Sequence, residues 1–598
     1  MRALSPSLHV IADTCNVYAL VDGDAALLVD FGSGAALGEL ASAGIEAREI
    51  LVTHHHRDQV QGLPLALDAG LAIWVPLVEE ALIGQIDEHW QARELANSYN
   101  VRQDRFSLRN SVAVTGTLAD YARHRFAGYE LQVVPTPGHT VGSITLVGEV
   151  DERRVGFTGD LLAGPGKVWS LAATQWTYNG GEGLAATVAS LLELRELDLD
   201  VLLPAHGRPI EDPASAIDLT VERLRRLMEL RGQNPRLLQL RARPYEPITP
   251  HLLRNRTSMS NSYVLLSDDG AALVIDYGYD FATGGAAGSD RAARRPSVYT
   301  IPALKRDFGV SRVDVAIPTH YHDDHVAGLN LLRQVEGTQV WAAESFVDVL
   351  ERPNHYDLPC LWFDPIVVDR SLPLGVPIRW REHSLELYQQ PGHTLYAVAI
   401  ALDVDGRRIV VVGDQLDGDG DFLNYVYSNG FRIDDYRESA ELYKELDPDL
   451  LLFGHRDPLT PAPGYLAELW RRGAELGELH RQLLPLEDVD LEAAGPTMRL
   501  RPYRSRVRRG DRIELEVDVR NPLPRPASCR LRLEAPAGWS VTPSEAELEL
   551  PFAGAGVASF LVQPAPLAVR RARVTADLTV EGQRFGELAE ALVTVSPG

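Results

Sequence analysis

The chain is poor in cysteine, in basic residues and in long apolar runs. Its 598 residues hold three cysteines, Cys15, Cys360 and Cys529, which fall one per apparent domain. That spacing excludes a disulfide framework and suits a reducing cytoplasm. None of the three stands in a ligand motif, so they read as packed, inert thiols. Lys and Arg number 58 against 83 Asp and Glu, for a formal charge of −25. Phosphate contacts need Lys and Arg, so no nucleic-acid partner is expected. No stretch approaches about 18 uninterrupted apolar residues, so no membrane span is read. Met1 to Leu20 lacks a basic start followed by an apolar run, so no secretory signal is read either. What the chain does have is a hydrophobic fraction of 45%, ample for buried cores. Its length suggests three or four domains.

One pattern of histidines and aspartates occurs twice. In the second, intact copy, residues 319–325 read Thr319-His320-Tyr321-His322-Asp323-Asp324-His325. Pro391-Gly392-His393-Thr394, Gly413-Asp414 and Gly454-His455 follow. His320 and His322 are two apart, so an extended segment projects them to the same side. Asp324 and His325 can turn toward a second ion, and the two oxygens of Asp414 can bridge both. Imidazole and carboxylate suit zinc, and also iron or manganese. Two such ions sharing a water supply hydroxide near neutral pH.

These four motifs, in this order, resemble the metallo-β-lactamase-fold hydrolases, which carry T-H-x-H-x-D-H, P-G-H-T, G-D and G-H or H-G. The resemblance implies that His320, His322 and His393 hold metal one. Asp324, His325 and His455 would hold metal two, with Asp414 bridging. It also implies a four-layer αββα sandwich. The bridging Asp, and the lack of a ligand Cys, place the chain nearer the glyoxalase II-like thioesterases, lactonases and phosphodiesterases than the β-lactamases proper. Flavodiiron oxygen reductases carry Glu where His322 stands.

The first copy is altered. It reads Thr53-His54-His55-His56-Arg57-Asp58-Gln59, then Pro137-Gly138-His139-Thr140, Gly159-Asp160 and Ala205-His206-Gly207. The likeness gives His54, His56 and His139 to metal one and bridging Asp160 to both. Metal two keeps Asp58 and His206, but Gln59 stands where the intact copy has His325. An amide oxygen is a poorer zinc ligand than imidazole. One firm ion is therefore expected here, with the second weak or absent. Alternation points His55 away from its neighbours.

The repetition reaches beyond the ligands. Asn16-Val17-Tyr18 and Asp30-Phe31-Gly32 mirror Asn261-Ser262-Tyr263 and Asp276-Tyr277-Gly278. His139 precedes Asp160 by 21 positions, as His393 precedes Asp414, and Tyr178 precedes His206 by 28, as Tyr427 precedes His455. Two copies of one domain follow from this.

The fold expected is α/β: two tandem four-layer domains, residues 1–245 and 246–485, followed by an all-β sandwich over 495–598. In the first copy, residues 17–29 read as a hairpin, 49–52 as the strand feeding His54, 80–125 as a helical insertion over the site, and 215–231 as a helix. Residues 232–250 read as a proline-rich connector. In the second copy, 283–295 reads as a loop insertion, 313–317 as the strand feeding His320, and 465–484 as a closing helix. The third region alternates strictly at 512–519, with further strands at 529–533, 546–550, 556–562 and 571–580. It resembles immunoglobulin-like accessory modules. Its partner could be a glycan, another protein or the enzyme half itself. Arg509-Gly510-Asp511 reads as a charged hairpin turn.

The function expected is a metal-dependent hydrolase of a small ester, thioester or lactone-type substrate, acting chiefly at the second domain through hydroxide shared by two zinc ions. The first domain would hold one or two. A phosphodiesterase or nuclease of the same fold, or an iron-dependent oxygen or sulfur enzyme, is the alternative. Asp324, Tyr427 and Asn429 are the candidate catalytic residues, the last two as hydrogen-bond partners of substrate. Trp169, Trp176 and Tyr178 are expected to line or cover the first site.

Overall fold

The computed structural model describes residues 1–92, 106–170, 183–230, 241–280, 294, 300–416, 422, 429–491 and 493–596. Two units of the same design come first. In each, a seven-stranded sheet is followed by a five-stranded one. The first unit runs Arg2–Ala3, Leu8–Ala12, Asn16–Asp22, Ala25–Val29, Glu46–Leu51, Ala72–Pro76, Gly116–Leu118. Its second sheet runs Val201–Pro204, Arg153–Gly159, Ile144–Val150, Tyr129–Pro135, Arg123–Phe126. The second unit repeats this order with Tyr245–Thr249, Leu252–Asn255, Ser262–Leu266, Ala271–Ile275, Arg312–Ile317, Gln339–Ala343 and Arg370–Leu372. Its five-stranded sheet holds Ile378–Trp380, His383–Gln389, Val398–Val404, Arg407–Gly413 and Leu450–Phe453.

The layers follow from which faces are apolar. Ala271–Ile275 and Leu450–Phe453 are buried at every position, as strands covered on both sides must be. In the first unit, one core joins the facing sides of the two sheets, through Tyr18, Leu27 and Val29 on one and Ile144, Leu146 and Phe157 on the other. The outer side of the first sheet packs on the helix Ala35–Ser42 and on Leu63 and Ala66 of Leu63–Asp68. The outer side of the second sheet packs on Leu184–Arg195 and Pro213–Leu230. The second unit matches, with Thr300–Phe308 and Leu329–Glu336 on one side and Asp435–Leu446 and Tyr465–Leu483 on the other. This is the four-layer α/β arrangement, twice.

The last region is all β. One sheet orders Met498–Arg501, Ile513–Arg520, Ala555–Gln563 and Ser540–Thr542. The other orders Arg504–Arg508, Gln583–Ser596, Val569–Val580, Ala527–Glu534 and Ala546–Leu550. Along Ile513–Arg520, Ile513, Leu515, Val517 and Val519 turn into the shared core, as strict alternation requires. Gly510, at φ 88°, makes the turn in the Arg-Gly-Asp triplet, and Asp511 folds back onto Arg508 through its backbone N–H, 3.1 Å from the Arg508 carbonyl.

Three expectations are corrected. Among the described residues of 80–125, which exclude 93–105, helix is confined to Ala81–Gly84 and Ile86–Ala92. The end of this stretch supplies Gly116–Leu118 to one sheet and Arg123–Phe126 to the other. The proline-rich connector ends earlier than 250, because Tyr245–Thr249 is the first strand of the second unit. That strand lies at a sheet edge, where Pro247, lacking an N–H, is tolerated. Cys15 and Cys529 are packed, but Cys360 is exposed. The insertion at 283–295 lies outside the described residues, Arg294 excepted. Among the described residues, no helix is long and apolar enough to cross a membrane.

Candidate metal centres

The second domain's ligands follow the ends of strands, with Asp324 and His325 on the short helix Asp323–Val326, and the mirrored residues hold those segments in place. Asp276 follows the strand Ala271–Ile275 with φ 58°, a left-handed conformation that a residue with a Cβ adopts at a cost. The turn sends its carboxylate back to the metal loop. It accepts the Thr319 N–H at 2.7 Å and the Thr319 hydroxyl at 2.9 Å. Its Oδ2 also lies 2.9 Å from His325 Nδ1, which fixes that ring with Nε2 facing inward. Gly413, at φ 54°, precedes Asp414, and a Cβ there would stand 2.9 Å from Thr319 Oγ1. The last ligand loop is pinned by Asn261, whose amide donates to the Phe453 and Arg456 carbonyls at 2.9 and 2.6 Å. Tyr263 adds its hydroxyl to the same Phe453 carbonyl at 2.6 Å.

The seven second-domain residues come together. Ligand atoms of His320, His322, His393 and Asp414 lie within 4.8 Å of one another, as do those of Asp324, His325, Asp414 and His455. Asp414 belongs to both groups. His322 Nδ1 and His393 Nε2 are 3.0 Å apart. His455 Nε2 is 3.1 Å from both Asp324 Oδ2 and Asp414 Oδ2, and His325 Nε2 is 3.3 Å from Asp414 Oδ1. Asn429 touches the cluster at His322. Its Oδ1 accepts from His322 Nε2 and from the Tyr321 hydroxyl, both at 3.2 Å. Tyr427, Trp176 and Tyr178 lie outside the described residues.

The electrostatics suit a cation site. Burial keeps His320 and His322 neutral, pulling His322 down to about 3. Asp414 and Asp324 instead hold a proton on His455, whose pKa rises to about 10. Burial opposes ionisation of Asp324, but His325 and His455 outweigh it and draw its pKa to about 2. His320 Nε2, His325 Nε2 and Asp414 Oδ1 are buried with no hydrogen-bond partner. Orphaned buried polar atoms are costly, and two cations sharing Asp414 would satisfy all three. The donor set of imidazoles and carboxylates fits a pair of divalent ions.

The first domain repeats the supports but not the whole set. Asp30, also at φ 58°, accepts the Thr53 N–H at 2.8 Å. Asn16 and Tyr18 bond to the Pro204 carbonyl as Asn261 and Tyr263 do to that of Phe453. His54, His56 and His139 form one group, with His56 Nδ1 2.8 Å from His139 Nε2. Asp58, Asp160 and His206 form another. Gln59 cannot give Asp30 the contact that His325 gives Asp276. Burial, with Asp160 and Asp58 adding to it, pushes Asp30 up to about 7 against the Thr53 bonds. The Gln59 amide instead donates weakly to Asp160 Oδ2 at 3.4 Å, and its own Oε1 is buried without a partner.

A second change accompanies Gln59. Ala205 stands where the second domain has Gly454, and a Cβ at 454 would overlap Asp414 Oδ1 and lie 3.0 Å from His325 Cε1. Asp160 is turned accordingly, with Oδ1 2.7 Å from His206 Nδ1, while His206 Nε2 faces the Thr14 carbonyl at 3.1 Å. Trp169 stacks on the His206 ring at 4.0 Å and 3°, with 54% of its surface exposed. The first domain is left with two three-residue groups that share no ligand, where the second domain's two groups share Asp414.

Sequence reasoning missed Glu79. His55 does point away from His54 and His56, and it meets this buried carboxylate, with Nδ1 3.0 Å from Oε2. Glu79 also accepts the His55 N–H at 2.8 Å and the Gly142 N–H at 2.9 Å, so it ties the metal loop to the His139 turn. No motif signals it. Asp30 and Asp276 were visible only as repetition, without their role.

Fold, duplicated site and sequence now point the same way. The profile of the metallo-beta-lactamase superfamily matches residues 10–206 and again 255–455, and the chain belongs to that superfamily. Curated relatives include an atrochrysone carboxyl ACP thioesterase of Aspergillus fumigatus, 26% identical over 34% of this chain and 40% of its own length. A lactamase-like protein of Aspergillus niger is 25% identical over 33% and 51%, and a probable metallo-hydrolase of Streptococcus pyogenes 28% over 25% and 61%. The chain thus spans about two fifths to three fifths of these relatives. Similar solved structures include a metallo-beta-lactamase family protein of Thermus thermophilus, at 24% identity, TM-score 0.30, over 38% of this chain and 83% of that one. Another is the subclass B3 metallo-beta-lactamase BJP-1 of Bradyrhizobium japonicum, at 20%, 0.30, 40% and 93%.

Proposed function

We propose that the second domain is a zinc-dependent hydrolase of a small ester, thioester or lactone-type substrate, and that the first domain holds one ion firmly. The observation that carries this reading is the pair of four-residue ligand groups sharing Asp414, in which His320 Nε2 and His325 Nε2 are buried without a hydrogen bond. Two divalent ions, when bound, supply a water of lowered pKa and a Lewis acid for the oxygen that gains charge. The chain's own residues do the rest. Asp276 aims His325, and Asn261 and Tyr263 hold the loop that carries His455. Asp324, ionised and only partly buried, is placed to orient the attacking water. Asn429, engaged by His322, is a positioning residue, while Tyr427 stays the candidate for a hydrogen bond to substrate. The thioesterase name borne by one relative favours thioesters among the carbonyl substrates.

Elemental analysis of the purified protein tests this, followed by assay on thioesters, lactones and phosphodiesters. The expected result is about three equivalents of zinc, two in the second domain and one in the first, with turnover of a carbonyl substrate lost on chelation. Iron in place of zinc would redirect the chemistry to oxygen or sulfur substrates. A protein that takes up no metal would overturn the reading.

A further inference from the structure

The C-terminal sandwich does not stand apart from the second domain. The Tyr503 N–H donates to the His355 carbonyl at 3.3 Å, and in the segment leading into the sandwich the Ala493 carbonyl accepts the Ile433 N–H at 3.1 Å. A cavity of about 220 Å³ lies along this seam, lined by Tyr356, Gly430 and Phe431 on one side and Met498, Arg499 and Leu588 on the other. Arg499 sits on the first sandwich strand, Met498–Arg501. Two residues on, Arg501 is paired with Asp518 at 2.7 Å. Arg499 has no carboxylate partner among the described residues. Its Nη1 donates instead to the Tyr396 hydroxyl at 2.5 Å, and its guanidinium lies 5.6 Å from the Tyr396 ring centre.

From Tyr396 the contacts lead to a metal-one ligand. The Tyr396 ring meets Tyr321 edge-on at 6.0 Å, and Tyr321 in turn meets His322 at 4.7 Å. The Tyr321 hydroxyl donates to Asn429 Oδ1, the atom that also receives His322 Nε2. With Nε2–H so engaged, His322 keeps the Nδ1 lone pair toward His393 and the cluster. The Asn429 carbonyl accepts from Thr394, next to His393, at 3.3 Å. Gly430, at φ 69°, locks the turn that follows, since a Cβ would stand 3.0 Å from Leu395 Cδ1. The first domain lacks this support among the described residues, where His56 Nε2 is buried without a partner.

We propose that the sandwich is a working part of the second metal centre, with Arg499 a positioning residue that acts through Tyr396, Tyr321 and Asn429 on His322. The proposal rests on the metal-site reading of the second domain. A guanidinium without a carboxylate partner and a chain of rings and hydrogen bonds fix the imidazole's tautomer and orientation. Loss of such outer support typically costs a ligand about 10- to 100-fold in metal affinity.

The test is competition against a chromophoric chelator on the full chain, with zinc and with cobalt(II), whose visible spectrum reports ligand geometry. The proteins are wild type, Asn429→Ala, Arg499→Ala, Tyr396→Phe and the double variant Asn429→Ala/Arg499→Ala. The first domain's ion serves as internal reference. Asn429→Ala should weaken one second-domain equivalent by about 10- to 100-fold, and Arg499→Ala by about 10-fold, each with an altered cobalt spectrum. Tyr396→Phe keeps the ring and the fold but removes the acceptor, and should show the same change at smaller size. The double variant should be no worse than Asn429→Ala, because both act on one nitrogen. Wild-type affinity and spectrum in Arg499→Ala and Tyr396→Phe would overturn the relay, as would a double variant whose loss is the product of the two. A wild-type second domain that binds no metal would overturn the site reading, and the relay with it.

Discussion

In the first domain the middle residue of the metal loop is His55, held by a buried carboxylate. In the second it is Tyr321, and Phe346 stands at the place that Glu79 occupies in the first. Glu79 is ionic support. Burial opposes its charge, but His55 outweighs burial and draws its pKa to about 2. Tyr321 and Phe346 are instead both buried in the apolar core of the second domain. The same loop geometry is reached by two chemistries, so ligands can be kept while their support is rebuilt. The second domain's solution leaves the Tyr321 hydroxyl free to reach Asn429, and with it the seam to the sandwich.

The sharpest break in this comparison is at the matched histidines. His393→Ala should cut turnover about 10³-fold or more, the scale found when one member of an interdependent set is lost, while His139→Ala leaves most of it. Steady-state assay on the folded variants decides, and equal losses would mean that the first domain shares the chemistry. Next comes the support itself. Glu79→Gln removes the charge facing His55 in a fully buried setting and should destabilise the first domain by about 3 kcal/mol. Phe346→Leu, an apolar swap, should cost the second about 1 kcal/mol. Urea midpoints read both, and a harmless Glu79→Gln would show that the loop does not need its ion pair. The smallest effect is a gain. Gln59→His with Ala205→Gly should add one equivalent of zinc to the first domain, and Gln59→His alone appreciably less, because the Ala205 Cβ crowds the new ring. Elemental analysis checks this, and a full equivalent from the single change would clear Ala205.

Much of the centre was legible because each ligand sits in a short motif with its own turn, such as Pro391-Gly392-His393-Thr394. The order of those motifs also carried the layered α/β fold. What was not legible depends on pairing across the chain or on backbone conformation. Asp276 is only a repeated residue until its φ of 58° turns the carboxylate onto Thr319 and His325. Glu79 lies 24 positions from His55 with nothing between them to mark the pair. Ala205 differs from Gly454 by one methyl, and its consequence appears only when Asp414 is seen beside it. The Tyr245–Thr249 strand hid among prolines because an edge strand can spare an N–H. Asn429 was read as a substrate partner from its recurrence, which does not reveal its bonds to His322 and Tyr321.

The clasp by which Asn261 holds the Phe453 and Arg456 carbonyls joins residues 192 and 195 positions apart. A growing chain cannot close it until nearly the whole second domain has left the ribosome. The first domain's clasp, between Asn16 and Pro204, is available some 250 residues sooner. At about 5–20 residues per second, tens of seconds separate the two events. On that schedule the first domain's three-histidine cluster is complete before the cluster around Asp414 can form.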